Sequence, residues 1–234
     1  SGEALTYTQV YEKAAPSIAA LTAYSAGMVS TGTGIVLTAD GYIVTNAHII
    51  AGAEQVNVTL SDDSLWSAQL VGFEPLEDLA VLKIDASGLT PAQFGDDTLL
   101  RSGDPVSAIG NPMGYRSTIT PGIVSALDQP VSVEGTTMYL LQTSAAINYG
   151  SSGGALLNDR GQVVGVTTIK IVADDGSAEG LGFAIPTNTV KTIVDDLIAY
   201  GHVPGYPTLG ILGSTMDQER AAASGLVVGV YVQS

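Results

Sequence analysis

The sequence predicts an all-β protein, either a pair of β-barrels or a β-sandwich, with a short helix near the N-terminus and another near the C-terminus. Short segments of alternating or continuous apolar residues recur at regular spacing over most of the 234 residues. The 28 glycines and 10 prolines are spread along the chain, as in proteins with many turns. Only two segments have the apolar spacing of a helix. A chain of this length suits one large domain.

The first helix is predicted at residues 6–15, where Thr6 or Thr8 can cap the N-terminus. Tyr7 and Tyr11 share one face of this helix. They either pack on the body of the protein or contact another subunit.

Strand-like segments follow in close succession, and an Asp40-Gly41 pair marks a tight hairpin between two of them. The predicted strands lie at residues 17–25, on either side of that pair within 31–45, and at 55–60, 65–73, 77–84, 104–109, 117–127, 139–143, 153–157 and 163–171.

The second helix is predicted at residues 187–200, with Thr187 as its cap and Gly201 as its end. The remainder, 202–234, opens with a linker rich in Pro and Gly and contains two strand-like runs. That is too little chain to bury a core of its own.

The charge and cysteine content exclude several functions. The net charge is −15, from 8 basic and 23 acidic side chains, so nucleic acid and anionic membrane surfaces would be repelled. Without cysteine there are no disulfides, no Cys-ligated zinc and no thiol nucleophile. The acidic clusters lack a ligand-loop pattern, so we expect neither a metal nor an organic cofactor.

No apolar run approaches the roughly 20 residues that span a bilayer. The sequence begins at Ser1 rather than methionine. We expect any targeting or membrane-tethering segment to lie outside it.

The stretch at residues 140–166 predicts a nucleophile. Apolar segments flank a glycine-rich turn, GSSGG, which presents Ser152, with Ser151 as the rival. A serine hydroxyl needs a positioned base, and the chain has two histidines. His48 follows the end of a strand, whereas His202 lies in the Gly/Pro linker, where nothing would orient it.

Strand alternation favours Asp78 over Glu77 as the carboxylate that holds His48. In a strand, Asp78 would share its face with apolar residues and need a partner, while Glu77 would face solvent. Each feature has a structural alternative: a flexible turn, a structural histidine, or a carboxylate that pairs with Lys83. Their order along the chain, each beside a strand end, favours a catalytic triad.

The developing oxyanion also requires donors. We expect the backbone N–H groups of Gly150 and Ser152 to provide them, with Ser151 between them completing the loop, because a glycine at position 150 permits a tight turn.

Five strings resemble the HtrA (Deg) family of chymotrypsin-like serine proteases, and they run in order from about Tyr11 to Gly201. They are TGTGIVLTADGYIVTNAHII, EDLAVLKID, GNPMGYRSTITPGIVSAL, QTSAAINYGSSGGALLNDRGQVVGV and LGFAIPTNTV. The resemblance implies a trypsin-like double barrel of six strands each with the site in the cleft between barrels. The family's catalytic residues fall on His48, Asp78 and Ser152.

The resemblance also implies a domain organisation. Residues 1–16 would be an N-terminal helical segment, 17–201 the trypsin-like serine protease domain, and 202–234 a linker with the truncated start of a PDZ domain. TLGI and GLVVGVYVQS are the strings in the last part that resemble a PDZ domain.

Three positions depart from the common family pattern: Ser144 where aspartate is usual, Tyr149 where proline is common, and Ser151 where asparagine precedes the nucleophile. They alter the loop of the oxyanion hole. Members of this family often rest with that loop misfolded, so the resemblance implies activation by loop movement.

Ala146 stands where trypsin-like enzymes keep an acidic pocket residue. With Ile147, Ile169 and Ile171 it would line a small apolar pocket. We therefore predict a serine endopeptidase that cleaves misfolded or regulatory proteins after small or medium aliphatic residues. The alternative is a catalytically latent chaperone or binding module that retains the protease fold.

The resemblance implies polypeptide substrates and a location in the bacterial cell envelope, in the periplasm or on the outer face of the plasma membrane. It also implies membrane anchoring in the full-length protein and homotrimers formed through the N-terminal region, where Tyr7 and Tyr11 are the candidate contacts.

Overall fold

The structure is a computed structural model that describes residues 4–111, 117–133, 136–168, 182–205, 212–216 and 229–233. The chain divides into two compact units, Ser1–Val203 and Pro204–Ser234.

The first unit begins with a helix and a six-stranded barrel, which closes in the strand order β1-β2-β3-β6-β5-β4. The helix is α1 (Tyr7–Ala14), and the barrel contains β1 (Ile18–Ser25), β2 (Met28–Val36), β3 (Tyr42–Thr45), β4 (Gln55–Thr59), β5 (Leu65–Glu74) and β6 (Leu79–Ile84). A single helical turn, α2 (Ala47–Ile50), follows β3.

A second six-stranded barrel closes in the order β10-β11-β12-β9-β8-β7. It contains β7 (Pro105–Gly110), β8 (Thr118–Val133), β9 (Thr136–Thr143), β10 (Ala155–Asn158), β11 (Val163–Thr168) and β12 (Gly182–Pro186), and it is followed by α3 (Thr187–Tyr200). The prediction of an all-β double barrel with a helix near each end is confirmed.

Both predicted helices form, although only one uses the predicted cap. The Thr6 side chain accepts from Gln9 N–H, and Gln9 reaches back to the Thr6 backbone, which forms a capping box. The prediction that Thr187 caps α3 is wrong, because Thr187 is already helical and its hydroxyl donates to Val163 O (2.9 Å). A carboxylate from a distant loop, Asp97 Oδ1, instead accepts from the N–H of the second helical residue (2.7 Å).

One apolar core runs through both barrels and both long helices. Its buried members include Val10 and Ala14 of α1, Ile35, Val44, Leu79 and Val81 of the first barrel, Ile109, Leu140, Leu157 and Val166 of the second barrel, and Val190 and Leu197 of α3. A fully buried Leu or Val side chain stabilises the fold by about 1.5–3 kcal/mol relative to an exposed one. The shared core therefore holds the two barrels in a fixed relation, which is what positions groups across the cleft between them.

Two strands differ most from the sequence prediction, while the ends of several others shift by one to three residues. β12 was not predicted, because its five residues lie directly before the helical pattern and are buried on both faces. β8 continues to Val133 rather than ending near Leu127, since the Asp128 region is absorbed as an irregularity in its pairing with β9.

In the second unit, β13 (Leu212–Met216) and β14 (Gly229–Gln233) pair as an antiparallel two-stranded sheet. The TLGI string of the predicted PDZ domain lies outside the described residues. Within the described part of the chain, no helix combines the length and apolarity needed to cross a lipid bilayer.

Candidate active site

His48 and Asp78 form a close pair at the edge of the first barrel. His48 Nδ1 lies 2.8 Å from Asp78 Oδ2 and 3.0 Å from Oδ1, and the His48 backbone N–H donates to Oδ1 (3.0 Å). The Asp78 side chain is 1% exposed and that of His48 is 28% exposed. An ionised carboxylate only accepts hydrogen bonds, so Nδ1 carries the hydrogen and the Nε2 lone pair of the neutral ring is available as a base.

The structure gives a different reason for the burial of Asp78 from the one the sequence suggested. Strand β6 begins at Leu79, and Asp78 lies in the preceding turn with φ 53°, in the left-handed region. Alternation therefore does not select it. Its carbonyl is held by Asn46 Nδ2 (3.0 Å) and Ala47 N–H (3.2 Å), which fixes the turn against the start of α2.

The second barrel contributes to the same pair. Thr168, the last residue of β11, donates its hydroxyl to Asp78 Oδ2 (3.0 Å) and is itself buried. Sequence reasoning did not identify Thr168, because a threonine at a strand end has no local signal for this contact 90 residues away. The carboxylate is thus bound from both barrels.

Ser152 lies at this junction, in a turn that we call the serine turn, residues 148–154. Gly150 (φ 86°) and Gly153 (φ 81°) take the left-handed conformations that favour glycine. Within the turn, Ser151 N–H donates to Asn148 O (2.9 Å), and the Ser152 carbonyl accepts from Thr33 N–H of β2 (2.8 Å). The serine turn of the second barrel is therefore bonded directly to the first.

Two of the predicted pocket residues, Ala146 and Ile147, directly precede the serine turn in the chain. Ala146 is exposed, and its carbonyl accepts from Thr120 Oγ1 (2.7 Å). Ile147 is partly buried, and its Cδ1 lies 2.9 Å from where a Cβ on Gly182 would be. Ile147 thus fills space that a side chain at position 182 would otherwise occupy. Ile169 and Ile171 lie outside the described residues.

His202, the alternative base, and Lys83, the alternative partner of Asp78, make other contacts. His202 is exposed after α3, with Nδ1 3.0 Å from Tyr200 O. Lys83 Nζ binds the carbonyls of Asp40 and Ile84 (2.7 and 2.9 Å) rather than Asp78.

The two N-terminal tyrosines behave differently from each other. Tyr11 is partly buried, and its hydroxyl donates to Ser117 O (3.1 Å) of the same chain. Tyr7 is 48% exposed.

An apolar cavity of about 470 Å³ opens beside His48. Its walls include Ile50, Ala53, Leu70, Phe73 and Pro75. Leu70 and Phe73 are each 52% exposed, so apolar surface is available to a chain lying next to the histidine.

Residues 32–166 match the trypsin-like peptidase domain family. The chain is 42% identical over 197 residues to the periplasmic serine endoprotease DegP of Escherichia coli, covering 83% of this chain and 41% of DegP. It is 44% identical over 198 residues to a probable periplasmic serine endoprotease, DegP-like, of Chlamydia muridarum, covering 82% of this chain and 38% of that protein. It therefore spans about two fifths of the length of these relatives.

The solved structures of the HtrA-type protease AlgW with a tripeptide and with a decapeptide are similar to this fold. The first has a TM-score of 0.80 at 39% identity and covers 97% of this chain and 75% of that one. The second has a TM-score of 0.77 at 35% identity, with 97% and 78% covered.

Proposed function

This chain belongs to the HtrA family of trypsin-like serine proteases, and we propose that it is a serine endopeptidase acting on polypeptides through an acyl-enzyme on Ser152. The observation that carries the proposal is the hydrogen bond from His48 Nδ1 to buried Asp78, which leaves the Nε2 lone pair available as a base. The serine turn is hydrogen-bonded to Thr167, the neighbour of the Thr168 that binds Asp78, which supports a role for Ser152 at the same site. No group other than amino-acid side chains and backbone amides is needed for this chemistry.

In the proposed reaction, His48 Nε2 takes the hydroxyl proton as Ser152 Oγ bonds to the peptide carbonyl carbon. Asp78 stays ionised and stabilises the imidazolium that forms. His48 then gives the proton to the departing amine nitrogen as the C–N bond breaks. Water repeats the sequence on the ester, and Ser152 regains its proton.

The oxyanion of the tetrahedral intermediate would bind the backbone N–H groups of Gly150 and Ser152. Ser151 N–H is already committed to Asn148 O, so its part in this loop is to hold the turn.

We propose cleavage after small or medium aliphatic residues, in a pocket between Ala146, Ile147 and the bare backbone of Gly182. Ile169 and Ile171 remain part of this proposal. A lysine or arginine side chain would find no carboxylate at Ala146. The test is the cleavage profile of a peptide library, in which dominant cleavage after basic residues would contradict the proposal.

We also propose that loop movement controls activity. Ser152 is 3% exposed and lies in a turn with two glycines, Gly150 and Gly153, whose backbones can change conformation. Tyr149, which is 82% exposed, and Ser151 lie in the turn that would move.

A second candidate function is a latent module that holds unfolded segments without cutting them. The half-exposed Leu70 and Phe73 beside His48 favour it, because they offer apolar surface to an extended chain. Labelling with a fluorophosphonate separates the two candidates, since a module that only holds would not be labelled.

The names of the relatives in E. coli and Chlamydia support a location outside the cytoplasm, and we propose the cell envelope. We further propose a homotrimer formed through the N-terminal region with Tyr7 in the contact, and membrane anchoring in the full-length protein. Loss of the trimer in Tyr7→Ala, measured by light scattering, would support the contact, and an unchanged trimer would exclude Tyr7.

The central experiment compares Ser152→Ala with Ser151→Ala and with Ser67→Ala, a control at an exposed serine on β5. We expect Ser152→Ala alone to lose both fluorophosphonate labelling and casein hydrolysis, with an unchanged circular dichroism spectrum. Hydrolysis retained in Ser152→Ala, or labelling lost only in Ser151→Ala, would refute the assignment.

A further inference from the structure

We propose that Thr33 is a positioning residue whose hydroxyl holds the Gly150–Ser151 peptide plane, so that the Gly150 N–H points at the attacked carbonyl. The inference rests on the proposed function. It adds a residue of the first barrel to the control of an oxyanion hole formed by the second.

Thr33 lies in β2 with its side chain fully buried, and all of its polar atoms form hydrogen bonds. Its N–H donates to Ser152 O (2.8 Å), and its carbonyl accepts from Thr45 Oγ1 (2.7 Å). Its hydroxyl donates to Gly150 O (2.6 Å). One threonine therefore holds two points of the serine turn.

The position of the hydroxyl hydrogen is determined by a further contact. Asn111, directly after β7, donates its backbone N–H to Thr33 Oγ1 (2.9 Å). Because that N–H can only donate, Thr33 Oγ1 accepts there and its hydrogen points to Gly150 O. The three groups form a directional chain, Asn111 N–H to Thr33 O–H to Gly150 C=O, whose bonds polarise one another.

These bonds fix the orientation of one peptide plane. The plane between Gly150 and Ser151 is rigid, and it is held at both ends: Gly150 O by Thr33, and Ser151 N–H by Asn148 O. Only the two backbone torsions of Gly150 then separate the held plane from the Gly150 N–H. Glycine rotates more freely than any other residue, so removing the Thr33 hydroxyl releases one end of the held plane and widens the range of directions open to this N–H.

The backbones of β2, β7 and the serine turn pack closely around Thr33. A Cβ on Gly153 would overlap Thr33 O. A Cβ on Gly110 would lie 3.2 Å from Thr33 Oγ1 and 2.9 Å from Ser151 Cα. At this point β2 and the serine turn meet backbone to backbone.

The test is Thr33→Val, which keeps the volume and removes the hydroxyl, assayed on a peptide substrate. Loss of a whole oxyanion donor lowers kcat by about 10²–10³-fold, so a misdirected donor should lower it by about tenfold or more, with KM unchanged. Affinity for a peptide aldehyde, which forms an oxyanion on the serine, should fall by the same factor. Thr33→Ser should recover most of the activity, and Thr31→Val, at an exposed position of the same strand, should lose none.

The inference is overturned if Thr33→Val keeps its kcat, if only KM changes, or if Thr33→Ser is as impaired as Thr33→Val. If Thr33→Val does not fold, Thr33→Ala is compared with Thr33→Ser in the same assays. Amide hydrogen exchange supplies a readout that needs no activity: exchange at Asn111 and Ser151 should accelerate in Thr33→Val and not in Thr31→Val. A wild-type protein without peptidase activity would sink the proposed function, and exchange would then decide the role of Thr33 alone.

Discussion

Replacing Asp78 with asparagine should disable the base while leaving the fold intact. Asp78 Oδ1 accepts from His48 N–H and from Nδ1 (both 3.0 Å), while Oδ2 accepts from Nδ1 (2.8 Å) and from the Thr168 hydroxyl (3.0 Å). An asparagine NH₂ at the Oδ1 position would face the backbone N–H, which cannot turn away. At the Oδ2 position it would face His48 Nδ1 and the Thr168 hydroxyl, and both of these groups can change from donating to accepting a hydrogen bond.

The second orientation therefore prevails. The Thr168 hydroxyl rotates to accept, and His48 Nδ1 accepts once its hydrogen has moved to Nε2. In that tautomer Nε2 cannot take the Ser152 proton. Because the asparagine side chain, the His48 backbone N–H and His48 Nδ1 all retain partners, we expect the free energy of unfolding to change by less than about 1.5 kcal/mol. The value of kcat should fall by about 10⁴-fold, the size of the effect for the same replacement in another Ser-His-Asp protease, equivalent to about 5 kcal/mol in activation free energy.

The assay is hydrolysis of a chromogenic peptide, with urea unfolding measured on the same preparation. Asp63→Asn is the matched control, since Asp63 also has a left-handed backbone (φ 65°) but lies in the exposed turn between β4 and β5. The reasoning fails if Asp78→Asn stays within tenfold of the wild-type kcat, or if its inactivity accompanies a loss of folded protein. Equal inactivity in Asp63→Asn would also refute it.

Three further changes test other parts of the structure. Gly153→Ala places a Cβ on Thr33 O and requires a left-handed alanine, so it should cost about 2–5 kcal/mol in urea unfolding, and wild-type stability would contradict the packing. Burial raises the pKa of Glu77, and the charge of Glu74 raises it further. Glu77 therefore stabilises the folded state at pH values below its unfolded pKa of about 4.3. This stabilisation is lost as the pH rises through the folded pKa of Glu77. Glu77→Gln should therefore raise the melting temperature at pH 7 and weaken the rise or fall of the melting temperature with pH above about 4.3; a lower melting temperature at pH 7 would count against this. Thr6→Ala removes the cap of α1 and should shift the urea midpoint by an amount corresponding to about 1 kcal/mol, while no shift would mean that α1 does not unfold with the barrels.

The sequence predicted what depends on near neighbours. Both long helices were placed within a residue or so of their observed ends, because the periodicity of their apolar positions and the residues that end them are local. Most strands followed from short apolar runs between turns. β12 was missed because five buried residues followed by a helix have no alternation to detect.

What the sequence could not predict are contacts between distant segments. The burial of Asp78 was expected, but on the basis of a strand that starts one residue later; a left-handed backbone at an aspartate leaves no clear pattern. Thr33 and Thr168 look like ordinary strand residues, and only the docking of the two barrels brings them to Ser152 and Asp78. The cap of α3 from Asp97 is a third case, since it joins residues 91 apart.

The bond between Thr168 and Asp78 also determines when during biosynthesis the site is completed. A ribosome adding about 5–20 residues per second would produce His48 and Asp78 several seconds before Thr168, which follows Asp78 by 90 residues. Until then the Asp78 carboxylate lacks one of its hydrogen-bond partners, and the second barrel, which contains the serine turn, is incomplete. The growing chain thus carries its histidine and aspartate while 90 further residues are added, before the carboxylate can be bound from both barrels.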